Sequence, residues 1–90
     1  MLFMVIERFK DRDARPVYRR LRDEGRSLPD GLTYVGSWVE ANFDRCFQLM
    51  ECDDARLLQE WALKCQDLGE FEFVPVVTSQ ETVEMITPLL

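Results

Sequence analysis

The stretch that most constrains this chain is residues 32–52, which reads as two strands folding back on each other. Residues 32–39 are rich in β-branched and aromatic side chains, 40–44 are polar enough to turn, and 45–52 are extended again. A hairpin is the simplest arrangement. It carries Trp38 and the polar group best suited to burial, the Gln48 amide, so any pocket is expected to have this hairpin as one wall.

The rest of the chain supplies elements that flank the hairpin. Residues 2–6 form a continuous apolar run, the pattern of a central strand covered on both faces, and residues 10–12 turn out of it. Asp13 is placed to cap a helix in which Ala14, Val17, Tyr18 and Leu21 share a face and Gly25 ends the run. After the hairpin, Asp53 or Asp54 caps a second helix with Leu57, Leu58, Trp61, Cys65 and Leu68 on its apolar face, where Trp61 is read as core. Gly69 is expected as its left-handed stop. Residues 71–77 read as a strand that Pro75 confines to an edge, because proline cannot donate to a ladder. Thr78 and Glu81 have the spacing of a capping box for a short last helix carrying Val83 and Ile86.

The order is βαββαβ with a terminal helix, on one domain spanning residues 1–90. Two βαβ-like halves of this kind close into a four-stranded antiparallel sheet with both main helices on one face, the α+β ferredoxin-like fold, whose first and third strands are central. Those are the two most apolar strands here. The helix-free sheet face then carries apolar side chains that need cover, and a second copy of the sheet supplies it economically. Ninety residues bury only roughly 60–65% of the unfolded chain's surface, so a homodimer is the default expectation.

Charge and residue types exclude several functions. The net charge is −6, with eight of the eleven Lys and Arg within residues 1–26 and twelve of the seventeen acids after them. The acidic total argues against general nucleic-acid binding, which works by neutralising phosphates. No apolar run reaches the roughly 18 residues of a membrane span, and residues 2–6 are too short for a secretory signal core, so a cytoplasmic location is expected. Three cysteines fit that reading as free thiols: Cys46 and Cys52, six residues apart on one strand, are held about 20 Å apart. There is no histidine and no CxxC spacing, which removes the usual zinc sites, a His-ligated haem, a Ser-His-Asp triad and a Cys-His pair. The sequence calls for no metal and no cofactor.

Residues 1–9, Tyr34 to Trp38, 45–51 and 73–77 resemble a family of short bacterial proteins described only as a domain of unknown function, over nearly the whole chain through Val77. That family is identified as a member of the dimeric α/β-barrel, ferredoxin-like superfamily. The superfamily includes cofactor-independent monooxygenases, small isomerases, haem-dependent chlorite dismutases and ligand-sensing modules. The resemblance implies a dimer and a pocket between sheet and helices, but no single activity. The haem branches use a histidine ligand that this chain does not have.

Several residues are candidates for chemistry. Read as running parallel, the two central strands would bring Glu7 and Glu51 into one carboxylate cluster, where repulsion and burial would raise one pKa and supply a catalytic acid or base. The alternative places both glutamates at the solvated sheet rim. Gln48, with Tyr34 and Trp38 on the neighbouring strand and Tyr18 on the first helix, would form a ligand-binding wall beside the gap left by Gly36. Gln48 bonding a backbone group or its dimer mate, and Gly36 marking a bulge, is the structural alternative. Arg15, Arg19, Arg20, Arg22 and Arg26 are the only concentrated positive charge, read either as an anion or RNA site or, with interleaved acids, as a solvated helix face. Two functions follow: a small-molecule-binding dimeric barrel, with cofactor-free chemistry at Glu7 or Glu51 left open, or a structural or regulatory module acting through its dimer face and arginine-rich helix.

Overall fold

The computed structural model describes all ninety residues, Met1–Leu90. Strand β1 (Leu2–Phe9) leads through a 3-10 turn, Lys10–Arg12, into helix α1 (Arg15–Glu24); β2 (Thr33–Val39) and β3 (Arg45–Glu51) make the hairpin. Helix α2 (Arg56–Cys65), strand β4 (Gly69–Val76) and helix α3 (Ser79–Ile86) complete the chain. The sheet order is β2-β3-β1-β4 and every neighbour pair is antiparallel, which is the ferredoxin-like arrangement with β1 and β3 at its centre. β4, which contains Pro75, takes an edge as expected of a strand lacking one amide donor.

Local signals account for the helix boundaries. The Asp13 carboxylate accepts from the Arg15 amide at 3.1 Å, and Asp54 accepts from the Arg56 amide at 3.0 Å, each satisfying an orphan donor of a first turn. Gly25, at φ 70°, ends α1 with its amide bonded to the Leu21 carbonyl. Thr78 caps α3, its hydroxyl accepting from the Glu81 amide at 3.1 Å. Gly69 serves a different purpose from the left-handed stop expected of it. It starts β4 without a positive φ, and a Cβ there would lie 2.5 Å from the Arg8 carbonyl oxygen and 3.3 Å from Glu7 Cγ. Close approach of two strands, rather than helix termination, requires glycine at this position.

The core lies between the sheet and the helices α1 and α2. Along β1 the residues Phe3, Val5, Glu7 and Phe9 are buried in strict alternation, and along β3 the residues Cys46, Gln48 and Met50 match them. Phe3, Val5, Leu32, Met50, Cys52, Leu58 and Trp61 form the main cluster, and Phe9, Ala14 and Cys46 a smaller one. Trp61 is core, as its helical spacing implied, and its indole N–H donates to the Arg26 carbonyl at 3.2 Å.

Two sequence expectations about faces are corrected here. β1 and β3 are antiparallel, so Glu7 stands opposite Cys46 while Glu51 stands opposite Leu2 at the other end of the ladder. The two glutamates therefore form no cluster. In β2 the register shifts between Tyr34 and Gly36, and the extra residue inverts the alternation that follows. Ser37 now pairs with Gln48 on the helix side, and Trp38 pairs with Phe47 on the outer side, where it is 59% exposed.

The C-terminal arm stands apart from this body. Every residue from 77 to 90 is exposed, including Val83, Met85, Ile86 and Leu89. The radius of gyration is 14.9 Å, against about 12 Å for a compact domain of this length.

Candidate functional site

The helix side of the sheet carries a polar row inside an otherwise apolar layer. Glu7 on β1 faces Cys46 on β3, Gln48 lies one pleat further along β3, and Ser37 on β2 faces Gln48. Diagonal neighbours on one sheet face are within reach of each other's side chains, so Glu7, Gln48 and Ser37 form a continuous strip across three strands. Above this strip α1, the loop after it and α2 leave a cavity of about 420 Å³. Tyr18 and Val17 from α1, Arg26 from the loop, and Trp61 and Cys65 from α2 complete its walls. A volume of this size matches that of small-molecule sites in general.

The electrostatics of the cavity centre on Glu7. It is only 4% exposed, and burial, with no compensating ion pair, pushes its carboxyl up to about 7. The facing Cys46 thiol is pushed up to about 11, first by burial and then by the charge of Glu7. Near neutrality the carboxyl thus exchanges its proton while the thiol stays protonated, which gives the cavity an acid–base group but no thiolate nucleophile. Tyr18, 42% exposed at the mouth, has its phenol raised by burial and by the neighbouring Cys46 and Glu7. Gln48 is 9% exposed and its amide faces the cavity.

Beside the Ser37 end of the strip the Tyr34 and Ser37 hydroxyls are 2.6 Å apart, and the Arg26 guanidinium stacks 3.7 Å over the Tyr34 ring. The Ser37 hydrogen bond, aided by hydrogen bonding from Arg26 and then by its charge, holds the Tyr34 phenol below its usual range. Of the residues singled out from sequence, Glu7, Tyr18 and Gln48 line the cavity, Tyr34 borders it through Ser37 and Arg26, and Glu51 and Trp38 lie away from it.

The arginine-rich helix resolves into internal ion pairs. Arg15 pairs with Asp13 at 2.9 Å, Arg20 with Asp67 at 2.7 Å and Arg22 with Asp23 at 2.8 Å. This is the solvated, self-neutralised face that the interleaved acids implied. Arg19 is exposed and pairs with no carboxylate, whereas Arg26, also unpaired, is half-buried at the cavity wall. Arg26 follows Gly25 and so leaves the helix surface, a signal present in the sequence but submerged in the arginine group; Ser37 was hidden by the bulge.

A family model described as Domain of unknown function (DUF3303) matches residues 1–90. The chain belongs to that family. No curated protein and no solved structure matches it. The DUF3303 match extends over all the elements that build the cavity, from Glu7 to Leu68, and over the exposed α3 arm. No helix in this DUF3303 chain is long and apolar enough to cross a membrane.

Proposed function

We propose that this DUF3303 protein binds a small apolar or aromatic molecule in the cavity between its sheet and helices, with Glu7 taking or giving a proton at the bound molecule. The single observation that carries this reading is the pairing of a cavity of about 420 Å³ with a buried carboxyl, Glu7, that has no counter-charge. A small core has no stability reason to retain such a group, since burying an uncompensated carboxyl costs free energy at neutral pH. Gln48 and Ser37 supply neutral hydrogen-bonding groups that orient a ligand carbonyl or hydroxyl above the sheet. Whether proton transfer leads to turnover depends on the ligand. The test is an amide NMR titration with a panel of small aromatic compounds. Shifts concentrated at Glu7, Ser37, Gln48 and Cys65, and abolished in Gln48→Leu, are expected; shifts confined to the outer sheet face, or none, would contradict the reading.

The working unit is proposed to be a homodimer of the dimeric α/β-barrel kind, in the cytoplasm, with no nucleic-acid partner. Two apolar surfaces support it. The outer sheet face presents Met4, Ile6, Phe47 and Leu49 with Trp38 at its edge, and the α3 arm presents Val83, Met85 and Ile86. Face-to-face sheet packing buries the first, and the same partner offers the arm a surface to dock on. The exposed arm also favours a second reading, a structural or regulatory module acting through that interface alone. The ion pairs of Arg15, Arg20 and Arg22 leave those arginines little part in it.

A further inference from the structure

Resting on the cavity-binding reading, we propose that Arg26 anchors an acidic ligand, so that the cavity takes a small monocarboxylic acid with an apolar or aromatic body. Three cations border the cavity: Arg20, Lys64 and Arg26. Arg20 is committed to Asp67, with bonds of 3.0 and 2.7 Å, and Lys64 is exposed at the rim. Arg26 has no carboxylate partner, and its Nε–H is buried without any acceptor. A guanidinium carries five donors in a fixed fork, and a buried donor left unpaired is costly, so its retention points to an acceptor brought by another molecule.

The position of Arg26 is fixed from two sides. Its carbonyl receives the Trp61 indole N–H at 3.2 Å, and its guanidinium carbon sits over the Tyr34 ring, 3.7 Å from the ring centre. The ring holds the guanidinium in place by a cation–π contact, and a carboxylate can accept two of the donors of the fork side by side. Tyr34 is thus a positioning residue, itself braced by the Ser37 hydroxyl at 2.6 Å.

The opposite end of the cavity restricts the ligand to a single charge. Glu7 sits on β1 and Tyr34 on β2, with β3 between them, so two interstrand steps of about 4.8 Å separate their strands. The Arg26 charge reaches Cys46, which faces Glu7, while the Glu7 shift itself has burial as its cause. A ligand held by its carboxylate at Arg26 crosses Ser37 and Gln48 and presents its far end to Glu7. A second carboxylate there would meet a buried acid, whereas a hydroxyl, a carbonyl or a bare ring would not.

The test compares phenylpropionate with its uncharged isostere phenylpropionamide, by calorimetry and amide NMR at pH 7, on wild type, Arg26→Gln and Arg26→Lys, each first checked for an intact amide spectrum. The expected result is that wild type prefers the acid by roughly tenfold or more, that in R26Q affinity for the acid falls to that for the amide, and that R26K recovers only part of the preference. Equal binding of acid and amide by wild type, or undiminished acid preference in R26Q, would overturn the role of Arg26 and leave cavity binding standing. Failure of both probes to bind wild type would overturn the cavity reading and this one with it.

Discussion

Glu7 stands directly opposite Cys46 across the two central strands, on the face that the helices cover. One buried acid therefore faces one buried thiol, and the carboxyl, raised to about 7, is the group of the two that titrates near neutrality. The consequence for stability follows from the sign of the shift. The native state holds this proton more tightly than the unfolded chain, whose glutamate has the ordinary value of 4.5. Glu7 costs nothing below that value, costs progressively more as pH rises toward 7, and holds a constant penalty of roughly 3 kcal/mol above it. Glu7→Gln is expected to raise the urea midpoint clearly at pH 8 and little at pH 4.5. An equal effect at both pH values would show that burial does not raise the Glu7 carboxyl above its ordinary 4.5.

Thiol reactivity should follow burial rather than number. Cys46 and Cys52 are buried, at 7% and 3% exposure, while Cys65 is half-buried at the cavity wall, and all three are free. Under native conditions at pH 8 a disulfide-exchange reagent is expected to label Cys65 first and the other two only as fast as the protein opens. Labelling sites read by mass spectrometry check this directly.

Gly69→Ala should destabilise, and the added methyl crowds Glu7 as well as the β1 backbone. The added methyl would meet the Arg8 carbonyl at 2.5 Å and Glu7 Cγ at 3.3 Å, and β1 cannot yield there because it pairs on both sides. Overpacking of this kind costs about 1–3 kcal/mol, seen as a lower thermal midpoint. Glycine freedom of backbone angle is not the reason, since Gly69 has no positive φ.

Removing residues 78–90 is expected to separate folding from assembly. The arm is exposed throughout, so the sheet and its two helices keep their core without it. Circular dichroism should report a folded protein, and sedimentation a weakened dimer. Trp38→Ala, on the outer sheet face, should weaken assembly in the same assay and leave cavity binding unchanged, the reverse of Gln48→Leu.

The sequence carried the fold more fully than the site. Apolar runs at strand and helix periods, Gly25, Pro75 and the Thr78–Glu81 box located nearly every element, and the central place of the first and third strands followed from the βαββαβ succession. The site depended on details with weaker signatures. The extra residue at the Tyr34–Gly36 bulge turned Trp38 outward and Ser37 inward, because one inserted residue inverts all later alternation in a strand. Glu51 dropped out once β1 and β3 proved antiparallel, since that direction sends the two carboxylates to opposite ends. Arg26 looked like one arginine among five; the ion pairs of Arg15, Arg20 and Arg22, and the exposure of Arg19 away from the cavity, set it apart.

The most direct measurement is native mass spectrometry at pH 7 of the protein equilibrated with a mixed panel of small aromatic acids and their amides. The account predicts a dimer that retains one panel molecule per chain, with acids retained in preference to amides. A protein that retains no panel molecule at any concentration would contradict it.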